Sequence, residues 1–304
     1  MRTLSGPAPA KINLGLRVLN RRSDGYHEVR TVFQTISLAD QLTVTYDRRS
    51  NGEVALECDE ASLAAKDNLV VRATESLLRV GGWPGSVRIE LKKCIPAGAG
   101  LGGGSSDAAA VLLALRRLLK PRPHPVMLAE VAARLGSDVP FFLQGGTAVG
   151  LGRGEEVYPL PDQPRRWLVV VAPKIFVSTA EAYRTLGKSR ARLTAAERQL
   201  IINGFQASIA ASEESGALDP AKLPVNDFES VVFQQFPVLR KWKKRLIEAG
   251  ALGAMMSGSG SAVFGVFSSL RRAREACKVL RGFGGKVYLT ETLDRSSYHA
   301  NWSH

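Results

Sequence analysis

The sequence predicts an α+β protein of two lobes that meet near residue 155, with a site in the cleft between them. Three observations predict it. Up to residue 60 the chain reads as successive strands. A glycine-rich stretch over 96–106 then opens the clearest helix of the protein. From residue 167 the pattern restarts with a buried-strand run, followed by helices, two strands, a helix and a final strand.

Segments 11–18, 27–37, 41–46 and 53–57 are rich in Ile, Val, Thr and Leu and are separated by turn residues, the pattern of strands. Residues 67–80 place Leu69, Val70, Ala73, Leu77 and Val80 along one side of a helix, with Gly81-Gly82 as its C-terminal stop. A short strand at 87–91 leads into the glycines. Helix 105–120 opens with small polar residues and is filled by Ala and Leu. Arg116, Arg117 and Lys120 suit the negative end of its dipole, and Pro121 stops it. A helix at 126–135 follows, and strand character resumes at 145–151 after an Asp138-Val139-Pro140 turn. In the second half, 167–172 is a strand and 178–186, 195–212, 227–235 and 237–249 are helices. Strands 253–256 and 262–267 flank a Ser/Gly turn, and helix 270–281 and strand 286–289 end the fold.

A length of 304 residues admits one large or two ordinary domains; with 45% hydrophobic and 23% charged residues, disorder is excluded as the default. No run of about 18 apolar residues is available to span a bilayer, and the first ten residues lack a signal-peptide pattern, so no membrane role and a cytoplasmic location are expected. Cys58, Cys94 and Cys277 fit neither a disulfide framework nor zinc spacing. The net charge of +13 is spread over scattered pairs such as Arg21-Arg22, Arg48-Arg49 and Arg116-Arg117. The run 241–245 lies on the wet face of an amphipathic helix. That distribution reads as solvated surface, and no nucleic-acid partner is expected.

The stretch Pro96-Ala97-Gly98-Ala99-Gly100-Leu101-Gly102-Gly103-Gly104-Ser105-Ser106 carries the chemistry. Without side chains the backbone approaches an anion closely, and N–H groups at a helix start, aided by its dipole, supply positive potential for phosphates. A hinge would need one or two glycines, and would not need to end in serines at a helix start. A Walker A loop is excluded because no Lys follows the glycines. The Gly98-x-Gly100-x-x-Gly103 spacing spells a dinucleotide fingerprint, but Pro121 and Pro125 stand where the ribose-binding acid belongs.

This loop resembles the phosphate-binding motif of the GHMP kinases, the superfamily of galactokinase, homoserine kinase, mevalonate kinase and phosphomevalonate kinase. Its Gly102-to-Asp107 form is similar to that of one branch, the 4-diphosphocytidyl-2-C-methyl-D-erythritol kinases. Agreeing segments are Pro9 to Leu14, Arg22-Ser23-Asp24-Gly25-Tyr26-His27, Gly136 to Phe142, Gly145-Gly146 to Gly154-Glu155, Asn226-Asp227-Phe228-Glu229 and Met256 to Ser261. The pairing of Asp-Gly-Tyr-His with Lys11-x-Asn13 is specific to that branch, and only 188–224 falls outside the match. The resemblance implies a ribosomal-protein-S5-like N-terminal lobe (1–155) that binds ATP and a ferredoxin-like α/β C-terminal lobe (156–304).

It also implies phosphorylation of the acceptor's 2-hydroxyl with ATP as donor and Mg2+ as companion; a small molecule is the expected partner. Asp138 would be the general base, with Lys11 beside it stabilising charge on the transferring phosphoryl. Read alone, Asp138 serves equally as the N-cap of a short helix at 139–143, and Lys11 as an edge-strand Lys facing water. Tyr26 and Tyr183 would stack on the two faces of a cytosine while His27 and Asn13 hydrogen-bond to it; unaided, Tyr183 reads as a core aromatic. Asn68 and Lys93 match positions around ATP's nucleoside, or are a helix cap and a surface Lys. Residues 257–261 let backbone approach phosphates or acceptor, or form a plain hairpin turn. No carboxylate stands out as a metal ligand, which leaves the metal to phosphates, water and a loop serine. The competing readings are another GHMP kinase of a small alcohol, and a basic nucleotide-binding protein without catalysis.

Overall fold

The computed structural model describes residues 1–50, 52–60, 63, 67–189, 193–214, 225–300 and 302. The chain opens with two long antiparallel strands, β1 (Arg2–Arg21) and β2 (His27–Asp47). Both outrun the sequence expectation. Residues 2–10 hide a strand because Pro7 and Pro9 interrupt the pattern, yet among the described strands β1 pairs with β2 alone, and an edge strand tolerates a missing N–H. Expected strands 27–37 and 41–46 are one, since Asp40, which reads as a break, is buried with partners.

Further elements of the first unit are β3 (Val54–Cys58), α1 (Leu69–Gly81), β4 (Ser86–Lys92), α2 (Gly103–Leu118), α3 (Pro125–Leu135), α4 (Val139–Gln144), β5 (Thr147–Leu151) and β6 (Glu156–Pro159). The sheet runs β3-β4-β2-β5-β6, with β1 along the other edge of β2. Only the β3/β4 pair is parallel, with α1 as its crossover. Apolar faces of α1, α2, α3 and α4 bury Leu77, Leu112, Leu115, Leu128, Phe141 and Phe142 in one core with Val44, Ile89 and Phe33. Strand β6 escapes sequence reading because its residues are largely exposed.

The second unit comprises β7 (Trp167–Ala172), α5 (Thr179–Ser189), α6 (Ala195–Glu214), α7 (Glu229–Gln235), α8 (Pro237–Glu248), β8 (Gly253–Met256), β9 (Val263–Phe267), α9 (Leu270–Leu280) and β10 (Lys286–Glu291). Its antiparallel order β10-β7-β9-β8 places the four strands, counted along the chain, as 4-1-3-2, the ferredoxin-like arrangement. Strand β7 is apolar throughout because both faces are covered. Val169 and Val171 pack with Leu239, Trp242 and Leu246 of α8 and with Ala273 and Ala276 of α9. Leu168 and Val170 instead share a core with Ala10, Ile12, Val32 and Ile36 of the first sheet. That shared core fixes one sheet against the other.

The chain then returns. The Leu293 N–H donates to the Thr35 carbonyl (2.9 Å), and α10 (Arg295–Ala300) inserts Tyr298 into the first core, its hydroxyl donating to the Phe142 carbonyl (2.6 Å).

Candidate active site

The glycine-rich loop lies between β1 and the start of α2. It is fastened from both sheets. The Lys11 N–H donates to the Leu101 carbonyl (3.0 Å), and the buried Ser106 hydroxyl donates to the Pro9 carbonyl (2.6 Å). From the other side, the Ser257 hydroxyl donates to the Gly100 carbonyl (2.9 Å) and the Ala262 N–H to the Ala99 carbonyl (3.0 Å). Ser257, Ser259 and Ser261 are buried, so the β8–β9 turn is no plain surface hairpin: it folds inward as a clasp on the loop. Asn226 fixes the clasp by donating to the Met256 and Gly258 carbonyls, each at 2.8 Å.

Gly98, Gly100 and Gly102 have φ of 65°, 78° and 73°, a region that glycine adopts without strain. At Gly100 a Cβ would also collide with the Ser257 carbonyl oxygen. Gly100→Ala is therefore expected to pry loop from clasp and to lower stability by roughly 1–3 kcal/mol of backbone strain; a urea melt checks this. Gly102 occupies the N-cap position of the 16-residue α2 and offers no side-chain cap, so the first-turn N–H groups stay available to an anion.

Beside the loop stand Lys11 and Asp138. The Lys11 ammonium is buried, donates to Asn13 Oδ1 (2.7 Å) and pairs with Asp138 Oδ2 (3.3 Å), whose side chain is 33% exposed. Asp138 does occupy the N-cap position of α4, but its carboxylate makes no capping bond. It points at Lys11 instead. A Cβ on Gly102 would lie 3.1 Å from Lys11 Cγ and 2.8 Å from the Phe142 ring, so the lysine stem runs directly against the loop. Asn13 is buried, linking Lys11 to Thr31, whose hydroxyl accepts from it at 2.8 Å.

Lys93 is not the surface Lys that local sequence allows. Its ammonium is buried between Asp40 and Asp107 (2.7 Å to the latter), and would lie 3.4 Å from a Cβ on Gly103. Asp40 also accepts from the Cys94 and Ile95 N–H groups (2.5 and 2.8 Å). Burial lowers the Lys93 pKa, but Asp107 and Asp40 outweigh it and hold the value above normal. Burial pushes Asp107 from 3.8 up to about 8, with Lys93 opposing and Asp40 reinforcing. Folded Asp107 thus binds its proton more tightly than unfolded, so its contribution favours the fold below pH about 4 and is lost as pH rises toward 8. Asp107→Asn, which keeps the neutral shape, is expected to flatten the fall of Tm across that window in scanning calorimetry. Asn68 is the N-cap of α1, accepting from the Val70 N–H (2.9 Å) and donating to the Leu63 carbonyl (2.7 Å).

Asp138 also lines a cleft of about 1420 Å³ that contains Tyr26, His27 and Tyr183. Tyr183 belongs half to the core, edge-on to Phe228 (4.8 Å), and half to the cleft, where it stacks on His27 with centroids 5.1 Å apart and planes 13° from parallel. Burial and then the Asp138 charge push the Tyr183 hydroxyl pKa far up, which keeps it neutral. Burial, helped by Arg21, lowers the His27 pKa, so its ring is neutral at pH 7. Tyr26 is exposed, beneath the Arg153 guanidinium at 4.8 Å. The cleft thus combines flat aromatic walls, a neutral imidazole and a carboxylate, and Lys11 ties that carboxylate to the glycine-rich loop.

Comparison with known proteins shows which family the chain resembles over its length. Residues 68–146 match the GHMP kinases N terminal domain and residues 203–286 the GHMP kinases C terminal model. The 4-diphosphocytidyl-2-C-methyl-D-erythritol kinase of Solibacter usitatus is 48% identical over 97% of this chain and 90% of its own. The chain belongs to this kinase family. The enzyme of the same name from Pelotomaculum thermopropionicum is 43% identical over 94% of this chain and 97% of its own. A crystal structure of a 4-(cytidine 5'-diphospho)-2C-methyl-D-erythritol kinase superposes with a TM-score of 0.78 at 38% identity, covering 95% of this chain and 98% of that one.

Several supporting residues carry no local signal of the partner they find. Asp107, Asn226, Asp40 and Ser257 act on groups 14, 30, 53 and 157 positions away. The available hint was polarity inside apolar runs, since a buried polar group must find a partner.

Proposed function

We propose that this chain transfers the γ-phosphoryl of ATP to the 2-hydroxyl of 4-diphosphocytidyl-2-C-methyl-D-erythritol, releasing ADP and the 2-phosphate, a step of non-mevalonate isoprenoid precursor synthesis. One observation carries the reading: Lys11 bridges the phosphate loop and Asp138, and Asp138 opens into the aromatic cleft. In this reading the lobe 1–155 binds ATP, with its phosphates on the 96–106 loop and its nucleoside toward Asn68 and Lys93. Asp138 takes the hydroxyl proton as the phosphoryl transfers in line, and Lys11 neutralises charge developing on the transferred group. Tyr26 and Tyr183 hold the cytosine by stacking and His27 supplies a hydrogen bond; Asn13, expected beside it, is buried between Lys11 and Thr31 and acts by holding the Lys11 ammonium.

Magnesium fits as a companion of the nucleotide. Among the described residues no three His, Cys, Asp or Glu side chains converge to hold a metal ion. An ion borne by phosphates and water needs only one or two protein oxygens, and Ser105, half-buried in the first turn of α2, is the loop hydroxyl placed to give one. Its charge would offset that of the phosphates. Among the described residues no helix is long and apolar enough to cross a membrane, and we read the protein as a cytoplasmic enzyme of small molecules.

The test is ADP release with magnesium-ATP and the cytidylyl acceptor, against mevalonate and homoserine as alternatives. Turnover confined to the first acceptor supports the assignment. Folded, ATP-binding protein that ignores it would overturn the assignment.

A further inference from the structure

Four arginines, Arg21, Arg22, Arg153 and Arg184, line the aromatic cleft, against the single carboxylate of Asp138. Three of the four are committed elsewhere. Arg22 Nε pairs with Asp24 (3.1 Å), Arg153 Nε with Glu155 (3.1 Å), and Arg184 with Glu181 on its own helix. Arg21 has no carboxylate partner among the described residues: its Nε donates to the Gly25 carbonyl (3.0 Å) across the β1–β2 turn. That bond fixes the inner edge of the guanidinium and leaves its two terminal amino groups for a ligand.

The register places this charge. Arg21 stands opposite His27 in the β1–β2 pairing, so the two side chains share a face, and both line the cleft. Arg21 is also close enough to help lower the His27 pKa. If His27 holds the base and Asp138 meets the hydroxyl, the two phosphates that join those ends must cross the space between them. A planar guanidinium is the side chain best matched to phosphate oxygens, which it can engage two at a time.

We propose that Arg21 binds the diphosphate of the acceptor and thereby sets the preference for a nucleotide-linked alcohol over a plain one. The inference rests on the acceptor reading above and assigns a residue to the part of the substrate that reading leaves without one. Arg21 is exposed at the cleft rim, so its replacement leaves the core untouched.

Calorimetric titration of the full chain with cytidine, CMP and CDP separates the possibilities. Wild type is expected to bind CDP more tightly than cytidine. Arg21→Ala should bind cytidine within about twofold of wild type but CDP about tenfold or more weakly, with Arg21→Lys between them. In turnover, Arg21→Ala should raise KM for the acceptor about tenfold while KM for ATP stays within about twofold. An equal loss for cytidine and CDP, or no loss for CDP, would overturn the role of Arg21 while leaving the kinase reading intact. Failure of wild type to bind any of the three would overturn both.

Discussion

Asp138→Asn is expected to lower kcat about a thousandfold, with KM for ATP and for the acceptor within a fewfold of wild type, as for loss of a proton acceptor used only in the transition state. Asn preserves the shape of the side chain and can still accept from the Lys11 ammonium, which lies 3.3 Å from Asp138 Oδ2. Because the Asp138 side chain caps nothing in α4, the substitution removes no structural bond there. A melting temperature within a few degrees of wild type should therefore accompany the loss. A variant retaining more than about a tenth of wild-type turnover would show that Asp138 is not the base.

Lys11→Met should cost on the order of a hundredfold to a thousandfold in kcat, the scale of one lost electrostatic donor at a transferring group. Met fills the channel between Gly102 and Phe142 with similar volume. Two polar groups lose their partner: Asp138, which is 33% exposed and can turn to water, and Asn13, which is buried and keeps its bond to Thr31. The fold should therefore suffer less than the chemistry, by about 1–3 kcal/mol for the orphaned Asn13 oxygen. Single-turnover kinetics at saturating ATP, beside a urea melt, measures both quantities on one preparation.

What could be read from sequence follows the range of the forces involved. Helix 105–120 and the strand at 167–172 announce themselves through local composition, and appear as α2 and β7. The glycine-rich loop was legible as a run of glycines ahead of a strong helix, and it appears as the segment that leads into α2. Residue pairings were not legible. Nothing near Asp40 says that Lys93 will find it, and nothing in 257–262 marks a turn that faces inward. Strand β1 was half hidden by Pro7 and Pro9, whose compatibility with a strand depends on their lying at a sheet edge. The double role of Tyr183, edge-on to Phe228 of the core and stacked on His27 in the cleft, likewise needs the fold before it has meaning.

The clasp has a consequence for synthesis of the protein. Glycines 98, 100 and 102 emerge from the ribosome long before Ser257 and Ala262, which hold the carbonyls of Gly100 and Ala99. The nascent first lobe can form its sheet and helices, with Leu101 and Ser106 fastened to β1, but the 98–100 stretch then lacks its second fastening and keeps more of the conformational freedom of glycine. Nucleotide affinity should therefore arrive late and abruptly, when residues 257–262 leave the exit tunnel, and a chain cut short of them should not spend ATP.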